Sequence, residues 1–179
     1  MILVLVFTEG GIYLKEPDIK KYDLEFRELY SRRATDYIII HHTGNDIDDD
    51  LSAEEIHRIH KINGWSGIGY HFVIRKNGQI EKGRPLWTQG SHCLNYNPIS
   101  IGIHLSGNFN IGKPTHYQIE SLAYLIGWLC EQYGLSPYGN VVGHRDFNAT
   151  ECPGNNLYDM LDEICGKADW YMNNYKDGD

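Results

Sequence analysis

The sequence predicts an α/β fold, a mixed central β-sheet flanked by helices, and three observations carry that expectation. Short apolar runs that stop abruptly at polar groups, YIIIHH, YHFVIR, SIGIHLSG and NVVG, read as strands. Two stretches open with capping-box pairs, Ser52 with Glu55 and Thr115 with Gln118, and continue with apolar residues at helical spacing. These strands and helices are mixed along the chain, with no internal repeat and no Ser- or Pro-rich linker to divide it.

In chain order, the first apolar run is MILVLVF, seven residues with no basic region before it. It is short for a signal core and far too short to span a bilayer, so it reads as an edge strand or lead-in, on a chain made in a cytoplasm without a signal peptide. Residues 1–35 are charged and only weakly periodic, an N-terminal extension, and the compact domain is expected over residues 36–179. That domain opens with the buried strand beginning at Tyr37. Ser52 then caps a helix with Ile56, Ile59 and Ile62 as its apolar stripe, and Asn63-Gly64 ends it. Lys76-Asn77-Gly78 between two alternating runs is a strong hairpin signal. SIGIHLSG is the next strand. Thr115 caps a helix of about 18 residues whose stripe is Ile119, Leu122, Ala123, Ile126, Leu129 and Tyr133, and Gly134 stops it. NVVG is a short buried strand leading to His144, and residues from Leu157 to about Tyr175 close the chain as a helix.

The totals exclude some functions. A length of 179 residues suits one domain with a single core, and 41% apolar with 22% charged residues is ordinary for a globular chain. A net charge of -8 without a basic stripe argues against a nucleic-acid partner, because phosphate neutralisation needs clustered Lys and Arg. No membrane partner is expected, and the chain is expected to act as a monomer. The 13 Tyr and 4 Trp suit a groove that grips a hydroxyl-rich ligand as well as a core.

Four cysteines, Cys93, Cys130, Cys152 and Cys165, show neither a CxxC pair nor the density of a disulfide scaffold, so they are expected to be reduced. Cys130 falls in an apolar helical pattern and reads as a small core hydrophobe, as does Cys165. Cys152, between Glu151 and Pro153 in a loop, has no such explanation. It lies eight positions after His144 in VVGHRDFNATECPG. A thiolate that near an imidazole is either a metal ligand or a nucleophile. Histidines also stand at the ends of other strands: His41 and His42 after YIII, and His71 after Tyr70. A catalytic zinc wants three protein ligands and an open position, and His144, Cys152 and one of His41 and His42 supply that set. Side chains alternate along a strand, so only one of the pair faces the metal. The nucleophile reading favours a thiol at a helix N-terminus; a helix beginning near Asn155 keeps it open.

IIIHHTG, GWSGIGYHFVIRKNGQIEKGRP, GSHCLNYNPISIGIHLSGNF and VVGHRDFNATECPG, in that order over roughly residues 36–165, closely resemble zinc-dependent N-acetylmuramoyl-L-alanine amidases of the amidase-2 and peptidoglycan-recognition-protein superfamily, phage endolysins included. The resemblance implies a zinc on His41, His144 and Cys152 at the floor of a surface groove. It implies a catalytic tyrosine at Tyr70, and Thr150, standing where some phage members carry a lysine, is expected to join it in catalysis by orienting water or the oxyanion through a hydrogen bond. The implied reaction is hydrolysis of the amide between N-acetylmuramic acid and L-alanine, with peptidoglycan as partner and the cell wall, reached by phage- or prophage-type release, as the place of action. His92 aligns with a groove-wall position. Together with His42, Trp65 and Tyr96 it is expected to contact substrate, and Trp87 and Phe109 are further candidates for stacking. Arg145 and Asp146 are expected to pair and fix the loop, and Asn95 stands where relatives often have Gly, so the local turn is expected to differ. Glu151 and His42 are the candidates for protonating the leaving amine. Members without the cysteine bind peptidoglycan without cleaving it, so Cys152 favours an enzyme over a binding protein, the second class of function; a cysteine hydrolase is the third.

Overall fold

The computed structural model describes residues 13–175, so the expected edge strand at residues 1–7 lies outside the described residues. Six strands, β1 (Ile19–Lys20), β2 (Tyr37–His42), β3 (Phe72–Ile74), β4 (Ile80–Lys82), β5 (Ser100–Leu105) and β6 (Val141–Gly143), form one sheet in the order β1-β4-β3-β5-β2-β6. Only β3 and β4, joined by the predicted hairpin, run antiparallel; the other pairings are parallel. The sheet is mixed and flanked by helices, as the interleaved patterns predict. Gly78, at φ 86°, takes the left-handed turn position that glycine reaches without steric cost.

The helices are α1 (Ala53–Ile62), α2 (His116–Tyr133), the single turns α3 (Pro137–Asn140) and α4 (Asn155–Tyr158), and α5 (Leu161–Asn174). Both capping boxes form: the Ser52 and Thr115 hydroxyls accept from the amides of Glu55 and Gln118, whose side chains accept the cap amides in return. The main core lies between the sheet and the pair α2 and α5, with Ile38, Ile40, Ile101, Ile103, Leu122, Ile126 and Ile164 among its members. A smaller cluster of Ala53, Ile56, Ile68 and Val73 seals α1 against the other face.

Two expected helices differ from the prediction. In α1 only Ile56 of the three isoleucines is buried, while Ile59 and Ile62 are exposed and His57 takes an inward position. A spacing of three drifts about 60° per step on a 3.6-residue turn, so Ile62 has rotated away from the sheet. The closing helix is broken: α4 ends at Tyr158 and α5 starts at Leu161.

Residues 13–35 pack into the sheet and core: β1 pairs with β4, and Leu14 is buried in the main core. The Tyr22 hydroxyl and the Ala53 amide both donate to the buried carboxylate of Glu81, at 2.9 and 2.7 Å. That one β4 side chain ties the N-terminal segment and the start of α1 to the sheet. Further along, the Arg27 amide donates to the Ser66 carbonyl, and Ser31 bridges Thr88.

His71, at a predicted strand end, is fully buried and structural. Its Nδ1 accepts from the Gly102 amide at 3.0 Å while Nε2 donates to the Thr88 carbonyl at 2.9 Å, which commits the ring to its neutral form. Burial first lowers its pKa from 6.5 to about 3. The unfolded chain therefore takes up a proton that the folded chain refuses, so this contribution is complete above pH 6.5 and is lost progressively as pH falls toward 3. His71 alone should cost about 2 kcal/mol of unfolding free energy at pH 5. Urea titrations across pH 7 to 5 check this: His71→Gln, which cannot charge, should show a shallower decline than the parent chain.

Candidate metal centre

Strand register assembles the centre. The pairing of β2 with β6 sets Ile40 beside Gly143, so the next residue of each strand, His41 and His144, emerges at the same end of neighbouring strands. Their ring centroids are 4.5 Å apart. After His144 the chain makes a 3₁₀ turn, and the Arg145 amide donates to the Cys152 carbonyl at 2.9 Å, closing the loop and returning Cys152 beside the histidine it left. Cys152 Sγ lies 3.6 Å from His41 Nδ1. One donor atom from each of His41, His144 and Cys152 falls within 4.8 Å of the others, a group that can hold a metal ion.

The chemistry of the donors, two imidazoles and a thiolate, fits a catalytic zinc, which takes three protein ligands of imidazole, thiolate or carboxylate type and keeps one position open. Both histidines are suited to ligation because their rings stay neutral: burial first, then the neighbouring histidines, holds His41 well below the usual imidazole range, and burial lowers His144. Burial pushes the Cys152 thiol up to about 12. Without a metal it is a thiol rather than a thiolate near neutral pH, which disfavours the nucleophile reading. The helix after it also offers little, since α4 is one turn starting at Asn155.

Tyr70 borders this group, its ring 5.1 Å from that of His41 and 4.8 Å from that of His104. Burial raises its phenol, with the Cys152 sulfur adding to the shift, so Tyr70 keeps its proton and remains a hydrogen-bond donor. His60 packs between Tyr70 and the exposed Trp65, at centroid distances of 6.0 and 4.7 Å. Thr150 is exposed and its Oγ1 accepts the Cys152 amide at 3.2 Å, bracing the ligand loop.

Other candidates are placed differently. His42 points to the opposite face from His41, where its Nδ1 accepts the Phe109 amide at 3.1 Å; burial and then Arg145 lower its pKa to about 4. Phe109 is fully buried in the main core, which removes it from the stacking candidates. Tyr96 stacks on Phe147 at 3.8 Å, and Trp87 lies with Arg32 and Tyr133 around a separate cleft. His92 does not stand alone on a wall: its Nδ1 is 2.9 Å from His41 Nε2. Arg145 and Asp146 do not pair with each other. Arg145 reaches Asn155 and the Glu151 carbonyl, whereas Asp146 accepts from the Gly143 amide and the Tyr158 hydroxyl, so two separate anchors replace the expected ion pair. Asn95 adopts φ 71°, a left-handed conformation that glycine takes readily and Asn tolerates.

Sequence reasoning missed several neighbours, His60 beside Tyr70 among them. His104, in register with His41 on β5, hydrogen-bonds the Thr43 hydroxyl at 3.2 Å through Nε2; alternation along SIGIHL was the available signal. Asn148 bonds His144 Nε2 at 3.0 Å, and only its position four residues after a ligand hinted at that.

Residues 31–155 match the amidase-2 family, described as N-acetylmuramoyl-L-alanine amidase. The endolysin of Enterobacteria phage K11 is 33% identical over 132 residues, 73% of this chain and 87% of the endolysin. Peptidoglycan-recognition protein SC2 of Drosophila melanogaster is 33% identical over 70% of this chain and 71% of its own length. Among solved structures, the N-acetylmuramoyl-L-alanine amidase LysC from Clostridium intestinale URNW superposes with a TM-score of 0.78 at 37% identity, over 86% of this chain and 99% of that one. With the family match spanning most of the domain and the fold shared with an amidase, the chain belongs to the N-acetylmuramoyl-L-alanine amidase (amidase-2) family.

Proposed function

We propose that this chain is a zinc-dependent N-acetylmuramoyl-L-alanine amidase that cleaves peptidoglycan between the sugar and the first residue of the stem peptide. The observation that carries this is the convergence of His41, His144 and Cys152, with a protonated tyrosine alongside, in a chain whose relatives include endolysins. A zinc ion, when bound, supplies Lewis-acid polarisation of the scissile carbonyl and an acidified water.

The chain's own groups supply the rest. Tyr70 donates a hydrogen bond to the oxyanion that develops as the carbonyl is attacked, where little competing water remains. Thr150 orients the same oxygen or the attacking water by hydrogen bonding. Of the two candidates for protonating the departing amine, His42 is committed to the Phe109 amide, whereas Glu151 is exposed one residue before the ligand cysteine and is held by Asn110 at 3.0 Å. Trp65, carried beside Tyr70 by His60, fits a groove wall, and the same reading places the glycan and peptide in a groove over the centre. The partner is peptidoglycan, the site of action the cell wall after phage- or prophage-type release, and the working unit a monomer with residues 1–35 as an extension of the catalytic domain. Among the described residues no helix is long and apolar enough to cross a membrane.

The likeness to a peptidoglycan-recognition protein supports a second reading, binding without turnover. Release of new amino groups from purified cell walls separates the two, because sedimentation with walls needs no catalysis. The amidase reading predicts amine release that a chelator abolishes and zinc restores; binding to walls with no amine release from the zinc-loaded protein would overturn it. Cys152→Ala and His144→Ala should each lose both stoichiometric zinc, measured by elemental analysis, and wall hydrolysis. Tyr70→Phe should keep zinc while kcat falls about 100- to 1,000-fold, and unchanged turnover in that variant would remove Tyr70 from the mechanism.

A further inference from the structure

Hydrogen-bond direction around the two ligand histidines is determined by groups whose polarity is unambiguous. At His144, the fixed group is the Leu94 backbone amide, which can only donate. It donates to the side-chain oxygen of Asn148 at 3.1 Å, and from the other end of the same amide Asn148 Nδ2 donates to the Phe147 carbonyl at 2.8 Å. Both contacts identify the Asn148 atom facing the histidine as oxygen. It is an acceptor, so His144 Nε2, 3.0 Å away, carries the proton. The Cys93 thiol adds a third donor to that oxygen at 3.4 Å.

At His41, the fixed group is a carbonyl. The Ser100 hydroxyl spends its proton on the Tyr96 carbonyl at 2.8 Å, so toward His92 Nε2, at 3.5 Å, its oxygen accepts. His92 therefore carries its proton on Nε2 and offers a bare Nδ1 to His41 Nε2 at 2.9 Å, which must be the donor. His41 Nδ1, the nitrogen that faces Cys152 Sγ, is left with its lone pair. Space for His92 is made by two glycines: a Cβ at Gly90 or Gly102 would stand 2.2 or 2.6 Å from its Cδ2. Asn97 Oδ1 accepts the amides of both His92 and Cys93, at 2.8 and 3.0 Å, holding the segment that serves both histidines.

We propose that His92 and Asn148, both braced by the segment 92–100, are positioning residues that lock His41 and His144 in the tautomer with Nε2 protonated and Nδ1 bare, so that the centre is set for a metal before one arrives. This rests on the reading of His41 and His144 as ligands. The advantage is preorganisation: an imidazole already in the ligating tautomer has no proton to relocate, and the partners of its distal nitrogen fix the ring plane.

The test reads the zinc-free protein first. Long-range ¹⁵N–¹H correlation at slightly alkaline pH should show His41 and His144 each with a protonated Nε2 and an unprotonated Nδ1; a protonated Nδ1 on either ring would overturn the proposal. Zinc affinity by competition with a chromophoric chelator is the second measurement. Asn148→Leu, which removes the acceptor, should mix the His144 tautomers and weaken zinc about 10- to 100-fold. Asn148→Asp, which keeps an acceptor there, should restore both. Unchanged tautomer and affinity in Asn148→Leu, or failure of Asn148→Asp to recover them, would overturn the role of Asn148. Failure of the amidase reading looks different: the parent chain would take up zinc with the tautomers as described yet release no amine from walls.

Discussion

The parallel register between β2 and β6 is the constraint on which the centre depends. Pairing Ile40 with Gly143 makes His41 and His144 neighbours at one end of the sheet, and side chains on adjacent parallel strands at the same level share a face. A slip of one residue would bring His42 to the centre in place of His41 and send His41 to the opposite face. The register is protected at the ends of the buried run: Ile38, Ile39 and Ile40 are fully buried with both faces of the strand covered, so a slip would draw Tyr37 or His41 into a site that an isoleucine now fills. Packing of the core and geometry of the centre are thus one requirement. The bond from the Arg145 amide to the Cys152 carbonyl, with the Arg145 side chain on the Glu151 carbonyl and Thr150 on the Cys152 amide, then brings in the third donor within a short loop.

Around this frame the chain uses imidazole as a neutral acceptor. Backbone amides donate to Nδ1 of four histidines: Phe109 to His42, Ile68 to His57, Gly69 to His60 and Gly102 to His71. These bonds fix the backbone on both sides of Tyr70, since Gly69 precedes it and His71 follows. They also give these four histidines a shared part in holding the backbone. A buried amide left unpaired costs roughly 1–3 kcal/mol, and a neutral imidazole satisfies it while its other nitrogen donates to a distant carbonyl, as His57 does to Glu25 and His71 to Thr88.

Much of this was legible in the sequence. Capping boxes, the Asn-Gly hairpin and strand endings depend on residues close together, and each formed where its local chemistry pointed. The candidate donors were legible in part for a related reason: His144 and the His41-His42 pair each follow an apolar run that defines a strand end, while the choice of His41 within the pair came from the resemblance to the amidases. What could not be read required tertiary partners. The α1 stripe depended on which side of the helix meets the sheet, and there His57 displaced Ile59. Phe109 looked like a loop aromatic until the fold covered it. Arg145 and Asp146 are adjacent, yet Tyr158 and Asn155 across the loop offered each a better partner. The charged, weakly periodic residues 13–35 reveal no helix, and their order comes from contacts such as Tyr22 with Glu81 that only the assembled sheet provides.

The most direct test of the central claim is the zinc-edge X-ray absorption fine structure of the purified, zinc-loaded protein. Two imidazoles and one thiolate from these three residues predict one sulfur at about 2.3 Å and two nitrogens at about 2.0–2.1 Å, with a light atom in the remaining position. A shell of nitrogen and oxygen alone, with no sulfur scatterer, would contradict the convergence of Cys152 with His41 and His144 on one ion.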